Sequence, residues 1–191
     1  PQQSEVKTLA LNIRSNSNYY EGEGEKRQFI VKFRTNKSIL KFLDMENLET
    51  KTSQGNITPD HIIRIKREPL ILKRSVAKRN PSLSTDIDSA FSIYKTKYNK
   101  YFERNQKRSK SKKTKLDNLP RLVFAPGVGI FGLGKTEKDA SIAADLGEVT
   151  LETIYKAQLV GSYKSISELD HFEMEYWSLE QAKLNKNATK P

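Results

Sequence analysis

The stretch from Leu119 to Ala140 limits what this chain can become more than any other. Leu122 to Ala125 is a short apolar run behind Pro120, of the right length for a buried strand. Pro126-Gly127 is a turn signal. From Val128 to Leu133 apolar residues sit between glycines, a pattern that lets one backbone lie close to another. Thr136 stands where a helix N-cap belongs, with Asp139 three residues later as a weaker capping box. Ala140, Ala143, Ala144, Leu151 and Ile154 then share one helical face. The stretch predicts strand, turn, strand and helix.

The rest of the chain supplies further elements. Leu9, Leu11 and Ile13 alternate, which predicts a short strand within Val6–Ile13, in an otherwise polar N-terminal segment, residues 1–27. Phe29, Val31 and Phe33 alternate with Ile30, Lys32 and Arg34, a half-buried strand. Apolar residues from Ser38 to Leu48 recur at helical spacing behind a cap region at Asn36. Thr58-Pro59-Asp60 is a strong helix start, with a capping hydroxyl, a first-turn proline and an acid at the positive helix end. Leu70 to Leu72 reads as a strand, followed by a basic loop from Lys73 to Ser84. Helices are expected over Asp86–Gln106 and Glu137–Leu159, the second ended by Gly161. Residues 185–191 read as a linker.

The chain has 191 residues, enough for one domain, here placed at residues 28–184. It lacks cysteine, which excludes disulfides and thiolate metal sites. No apolar run approaches a transmembrane length, so no membrane partner is expected. Seven cations and no acid lie between Arg104 and Lys115; the rest of the +11 net charge is only +4. The basicity is therefore local. The run lacks aromatic residues and a recognition motif, so residues 104–118 read as a mobile solvated loop, with polyanion binding as the alternative and no specific nucleic acid.

Val128-Gly129-Ile130-Phe131-Gly132-Leu133-Gly134-Lys135-Thr136, continuing to Ala140, resembles the His-Gly-Leu-Phe-Thr-Trp-Gly signature of the class II aldolase/adducin family. Thr58 to Arg64 and Phe172 to Glu180 extend the resemblance to about Phe29–Leu184, specifically to the aldolase-like region of bifunctional rhamnulose-phosphate aldolase/short-chain dehydrogenase proteins. The resemblance implies an α/β fold of αβα type, with helices packed on a mixed or antiparallel sheet. It also implies a longer protein, with an upstream aldolase segment and a downstream dehydrogenase domain as partners. A start at Pro1 agrees with an excised piece. Zinc and NAD are expected only in that parent, in the cytoplasm; a homo-oligomer stays open. The first signature position is a metal-binding histidine in the family and Val128 here, a degenerate metal position.

The candidate chemistry is thin. Two histidines, His61 and His171, stand far apart, too few for a zinc site. His61 with Arg64 and Lys66, at a capped helix start, is a candidate phosphate site for a sugar-phosphate substrate, against the reading that these groups are merely solvated. The glycines at 127, 129, 132 and 134 match no phosphate-loop spacing. Tyr176 and Trp177 are candidate interdomain contacts, against a role in closing this domain's own core. The expected role is a non-catalytic, structural or interdomain segment. The alternative is a segment that lends phosphate-binding residues to an active site completed upstream.

Overall fold

A computed structural model describes residues 2–21, 24–74 and 83–178. Helix α1 (Gln3–Asn16) leads into a two-stranded antiparallel hairpin of β1 (Asn18–Glu21) and β2 (Glu25–Gln28). Strand β3 (Ile30–Arg34) follows, then α2 (Lys37–Leu43), α3 (Leu48–Thr52), α4 (Pro59–Ile65), β4 (Leu70–Ile71) and α5 (Leu83–Gln106). Strands β5 (Leu122–Ala125) and β6 (Gly129–Gly134), and helices α6 (Glu137–Val160) and α7 (Glu168–Glu175), complete the order. The main sheet has the order β3-β6-β5-β4. Its β3–β6 and β5–β6 pairs are antiparallel and β4–β5 is parallel, so the sheet is mixed.

The central stretch folds as its pattern dictates. Side chains of β5 and β6 alternate between two cores, one on each sheet face. Leu122, Phe124 and Ile130 pack with Ala143 and Leu151 of α6 and with Ile39 and Leu43 of α2. Val123, Ala125, Phe131 and Leu133 pack instead with Leu9 and Ile13 of α1 and with Ile87 and Phe91 of α5. The layers are thus helix, sheet and helix. Gly132 and Gly134 face α6. A Cβ on Gly132 would land on the Ala140 carbonyl oxygen and the Ala144 nitrogen. Only hydrogen fits there, so strand and helix backbones touch. Thr136 caps α6 by accepting the Asp139 N–H at 3.1 Å. Gly161 ends it, donating its N–H to the Ala157 carbonyl at φ 171°, ψ −118°, not in the left-handed conformation.

Two expectations are corrected. Val6–Ile13 lies in α1, not a strand. Leu9 and Ile13, four residues apart, are buried, while Leu11 is 59% exposed. Period four on the core side overrides the short alternation, and the Gln2 N–H bonded to Glu5 at 3.0 Å fixes the helix start. The helix expected over Ser38–Leu48 breaks after Leu43 and resumes as α3, because Asn47 takes a left-handed conformation, φ 55°. Its predicted cap holds: Asn36 Oδ1 accepts the Ile39 N–H at 2.7 Å. Part of the basic loop, residues 75–82, and the linker at 185–191 lie outside the described residues.

Candidate functional site

The chemistry-bearing side chains of this fold converge inside it, beneath α4, α5 and α7. Three features bring them there. On α5, Tyr94, Tyr98 and Tyr101 recur at helical spacing and line its buried face. At the end of α4, Lys66 adopts φ 60°, which breaks the helix and leaves its side chain in the interior, only 4% exposed. On α7, Glu175 and Tyr176 close the last turn, 1% and 7% exposed.

The Lys66 ammonium sits 3.7 Å from the centroid of the Tyr98 ring and donates to the Asp117 carbonyl. The Tyr98 hydroxyl donates to Glu175 Oε1 at 2.7 Å and lies 2.7 Å from the Tyr176 hydroxyl. Tyr176 in turn accepts the Leu116 N–H at 3.3 Å. Arg121 grips the Asp117 carboxylate with two nitrogens, at 2.9 and 2.5 Å. Two cations and two carboxylates thus balance inside the cluster.

Burial sets the electrostatics. Desolvation pulls the Lys66 amine down from 10.5 to about 8, with the Asp117 and Glu175 charges opposing the fall. Desolvation pushes the Glu175 carboxyl up, although Lys66 and the Tyr98 and Tyr101 hydroxyls work against it. Asp117 is held below the usual carboxylate range: burial raises it, but Arg121 and Lys66 outweigh that. The Tyr98 and Tyr101 phenols are pushed up by burial and by Glu175, so neither is a base at neutral pH.

Beside this cluster lies a cavity of about 30 Å³ lined by Arg67, Glu68, Tyr94, Lys97, Tyr98 and Tyr101. Glu68 pairs with both Arg67 and Lys97, and Arg67 Nε is buried without a hydrogen-bond partner. The space suits a water molecule rather than a metabolite. A shallow groove of about 530 Å³ runs past Arg14, Lys26, Arg27 and Lys135. Glu21 pairs with Arg27 and Lys135, and Glu25 with Arg27, which offsets much of its charge.

The residues singled out from the sequence do not form one site. His61 is half-buried in the first turn of the seven-residue α4, with Nδ1 buried and unpartnered; burial lowers its pKa against the pull of Asp60. Arg64 is half-buried in the same helix, but Lys66 belongs to the interior cluster and is not available to a phosphate at the helix start. His171 is a structural histidine. Its Nδ1–H faces the Ser167 carbonyl at 3.0 Å, and Nε2 accepts the Asn56 N–H at 3.2 Å, which fixes the neutral tautomer. Tyr176 closes this domain's own core, whereas Trp177 is 45% exposed. The sequence reading missed Glu175, Asp117, Arg121 and the α5 tyrosines. The available signal was tyrosine, rather than leucine, at three positions of one buried helix face, since a buried phenol needs a partner.

Val128 is 3% exposed and packs in the core with Phe131 and Leu133. It offers no donor to an ion. Among the described residues no group of three histidine, aspartate or glutamate side chains lies close enough to hold a metal. The described residues therefore do not fit a metal centre.

A family profile described as "Aldolase class II, second domain" matches residues 4–184. The chain is 25% identical over 161 residues to the uncharacterized oxidoreductase YuxG of Bacillus subtilis (strain 168), an alignment covering 84% of this chain. It spans only 23% of that relative's length. No solved structure matches it. With nearly its whole length matched to one profile and its helices packed on a mixed sheet, the chain belongs to the class II aldolase family, as a second domain.

Proposed function

We propose that this chain is a non-catalytic scaffold segment of a longer bifunctional protein, one that cleaves a sugar phosphate of the rhamnulose 1-phosphate type and oxidises the aldehyde product with NAD. The observation that carries the proposal is Val128, an aliphatic core residue where metal-bearing relatives of the resemblance place an imidazole. The buried cluster supports it, because its charged groups face inward: Arg121 holds the Asp117 carboxylate, Lys66 donates to the Asp117 carbonyl and Glu175 accepts from Tyr98. The name of YuxG, an oxidoreductase about four times longer than the matched segment, supports a redox region elsewhere in the parent. Zinc and NAD then belong to other segments.

The test is kinetic. In the full-length protein, His61→Ala and Arg64→Ala should leave kcat and KM for aldol cleavage within about twofold of the parent. This chain alone should carry no stoichiometric zinc. One zinc per chain would refute the proposal. So would a loss of about tenfold in kcat/KM on replacing His61 with the fold intact. That second outcome would favour the rival reading, in which His61 and Arg64 hold the substrate phosphate. The unpartnered His61 Nδ1 speaks for that rival.

A further inference from the structure

The basic run is a built loop. Arg104 meets Glu168 through two nitrogens, at 2.8 and 2.7 Å. The Gln106 amide clamps the backbone that follows: its Nε2 donates to the Ser111 carbonyl at 3.0 Å and its Oε1 accepts the Lys113 N–H at 2.7 Å. Lys113 turns inward to Glu173 at 3.1 Å, and Lys115 reaches Asn99 at 3.1 Å. With the backbone held, Lys107, Lys110 and Lys112 are exposed, and so is Arg108, whose Nη1 also donates to Asn105 Oδ1 at 3.4 Å. None of these four has an acidic partner among the described residues.

We propose that this clamped loop is a docking surface for the phosphodiester backbone of a nucleic acid, held without regard to sequence. Four exposed cations within six residues, on a backbone held by Gln106 and Lys113, concentrate positive charge on one loop. Ordering the loop beforehand removes part of the entropy cost of binding. The run has no aromatic side chain to stack on a base, so base identity goes unread. It has no apolar side chain to enter a bilayer, and charge alone is a weak membrane anchor. A regular chain of phosphates is the partner that charge alone selects.

The experiment is fluorescence anisotropy with labelled 20-base-pair DNA duplexes of two unrelated sequences, over a salt series, using the intact chain. The expected result is equal affinity for both sequences. The slope of log K against log salt should be about −3.6, from four phosphate contacts at about 0.9 each. Replacing Lys107, Arg108, Lys110 and Lys112 together by glutamine should abolish binding. Gln106→Ala leaves the charge unchanged, and it should weaken binding about threefold by loosening the clamp. Circular dichroism checks that each variant is folded. No binding at low salt overturns the proposal, as does undiminished binding by the quadruple variant. Full affinity in Gln106→Ala overturns it too. Capture by anionic vesicles without capture by duplex would assign the loop to a lipid surface instead, and overturn it.

Discussion

Lys66 makes the energetics of the interior cluster measurable. Its amine falls from 10.5 to about 8 on folding, chiefly through desolvation. At 1.36 kcal/mol per pH unit, that fall corresponds to about 3 kcal/mol of linkage between protonation and folding. Below pH 8 both states hold the proton, and the folded state carries the full cost of a buried ammonium. Between pH 8 and 10.5 the unfolded chain binds more protons than the folded one, so this group makes stability rise with pH. About 1.5 kcal/mol of the rise should appear between pH 8 and 9.5. From about pH 9 upward the tyrosines increasingly oppose the trend: Tyr94, Tyr98, Tyr101, Tyr163 and Tyr176 keep their protons in the folded state while the unfolded phenols lose theirs. The informative window is therefore pH 8 to 9.5. Urea denaturation followed by circular dichroism, at half-unit steps, measures it. Lys66→Met should remove this rise, so that the wild-type change over the window exceeds the variant's by about 1.5 kcal/mol, whatever the substitution does to stability at pH 7. A wild-type profile that is flat or falls through this window would refute the reasoning, and so would an equal rise in Lys66→Met.

Three other outcomes follow from the same structure. Gly132→Ala drives a methyl into the backbone of α6 and should cost about 3 kcal/mol or more, whereas Gly161→Ala, with open space around it, should stay within about 0.5 kcal/mol; chemical denaturation of the pair tests both. His171 has its pKa lowered first by burial, so the unfolded chain takes up the proton before the folded one and stability drains away as pH falls below 6.5; His171→Gln should show a shallower loss between pH 7 and 5 by thermal melting. Trp177→Ala should shift stability by less than about 0.5 kcal/mol in this chain, since the side chain is half exposed, and a larger loss by denaturation would place it in the core after all.

Much of the architecture was legible because local chemistry and global packing agree in the centre of the chain. The apolar run of Leu122 to Ala125, the Pro126-Gly127 turn, the apolar residues set between glycines up to Leu133 and the Thr136 cap all point to one arrangement, and the sheet and α6 follow it. The N-terminal segment misled because Leu9, Leu11 and Ile13 fit a strand as well as a helix over so few residues; only the core on the far side of the sheet decides for period four. The candidate site was less legible. His61, Arg64 and Lys66 are neighbours in sequence, yet the left-handed turn at Lys66 sends that side chain inward. Asp117 and Arg121 stand four residues apart, but Lys66 and Glu175 reach that pair only through tertiary structure, and no spacing along the chain announces a partnership between a loop and the end of a distant helix.

At Gly132 and Gly134 no side chain of β6 separates the strand from α6. Elsewhere in the core, two elements can slide a little while rotamers adjust between them. Here peptide planes lie on peptide planes, and no such lubricant exists. At that seam strand and helix form one stiff unit in the middle of the sheet.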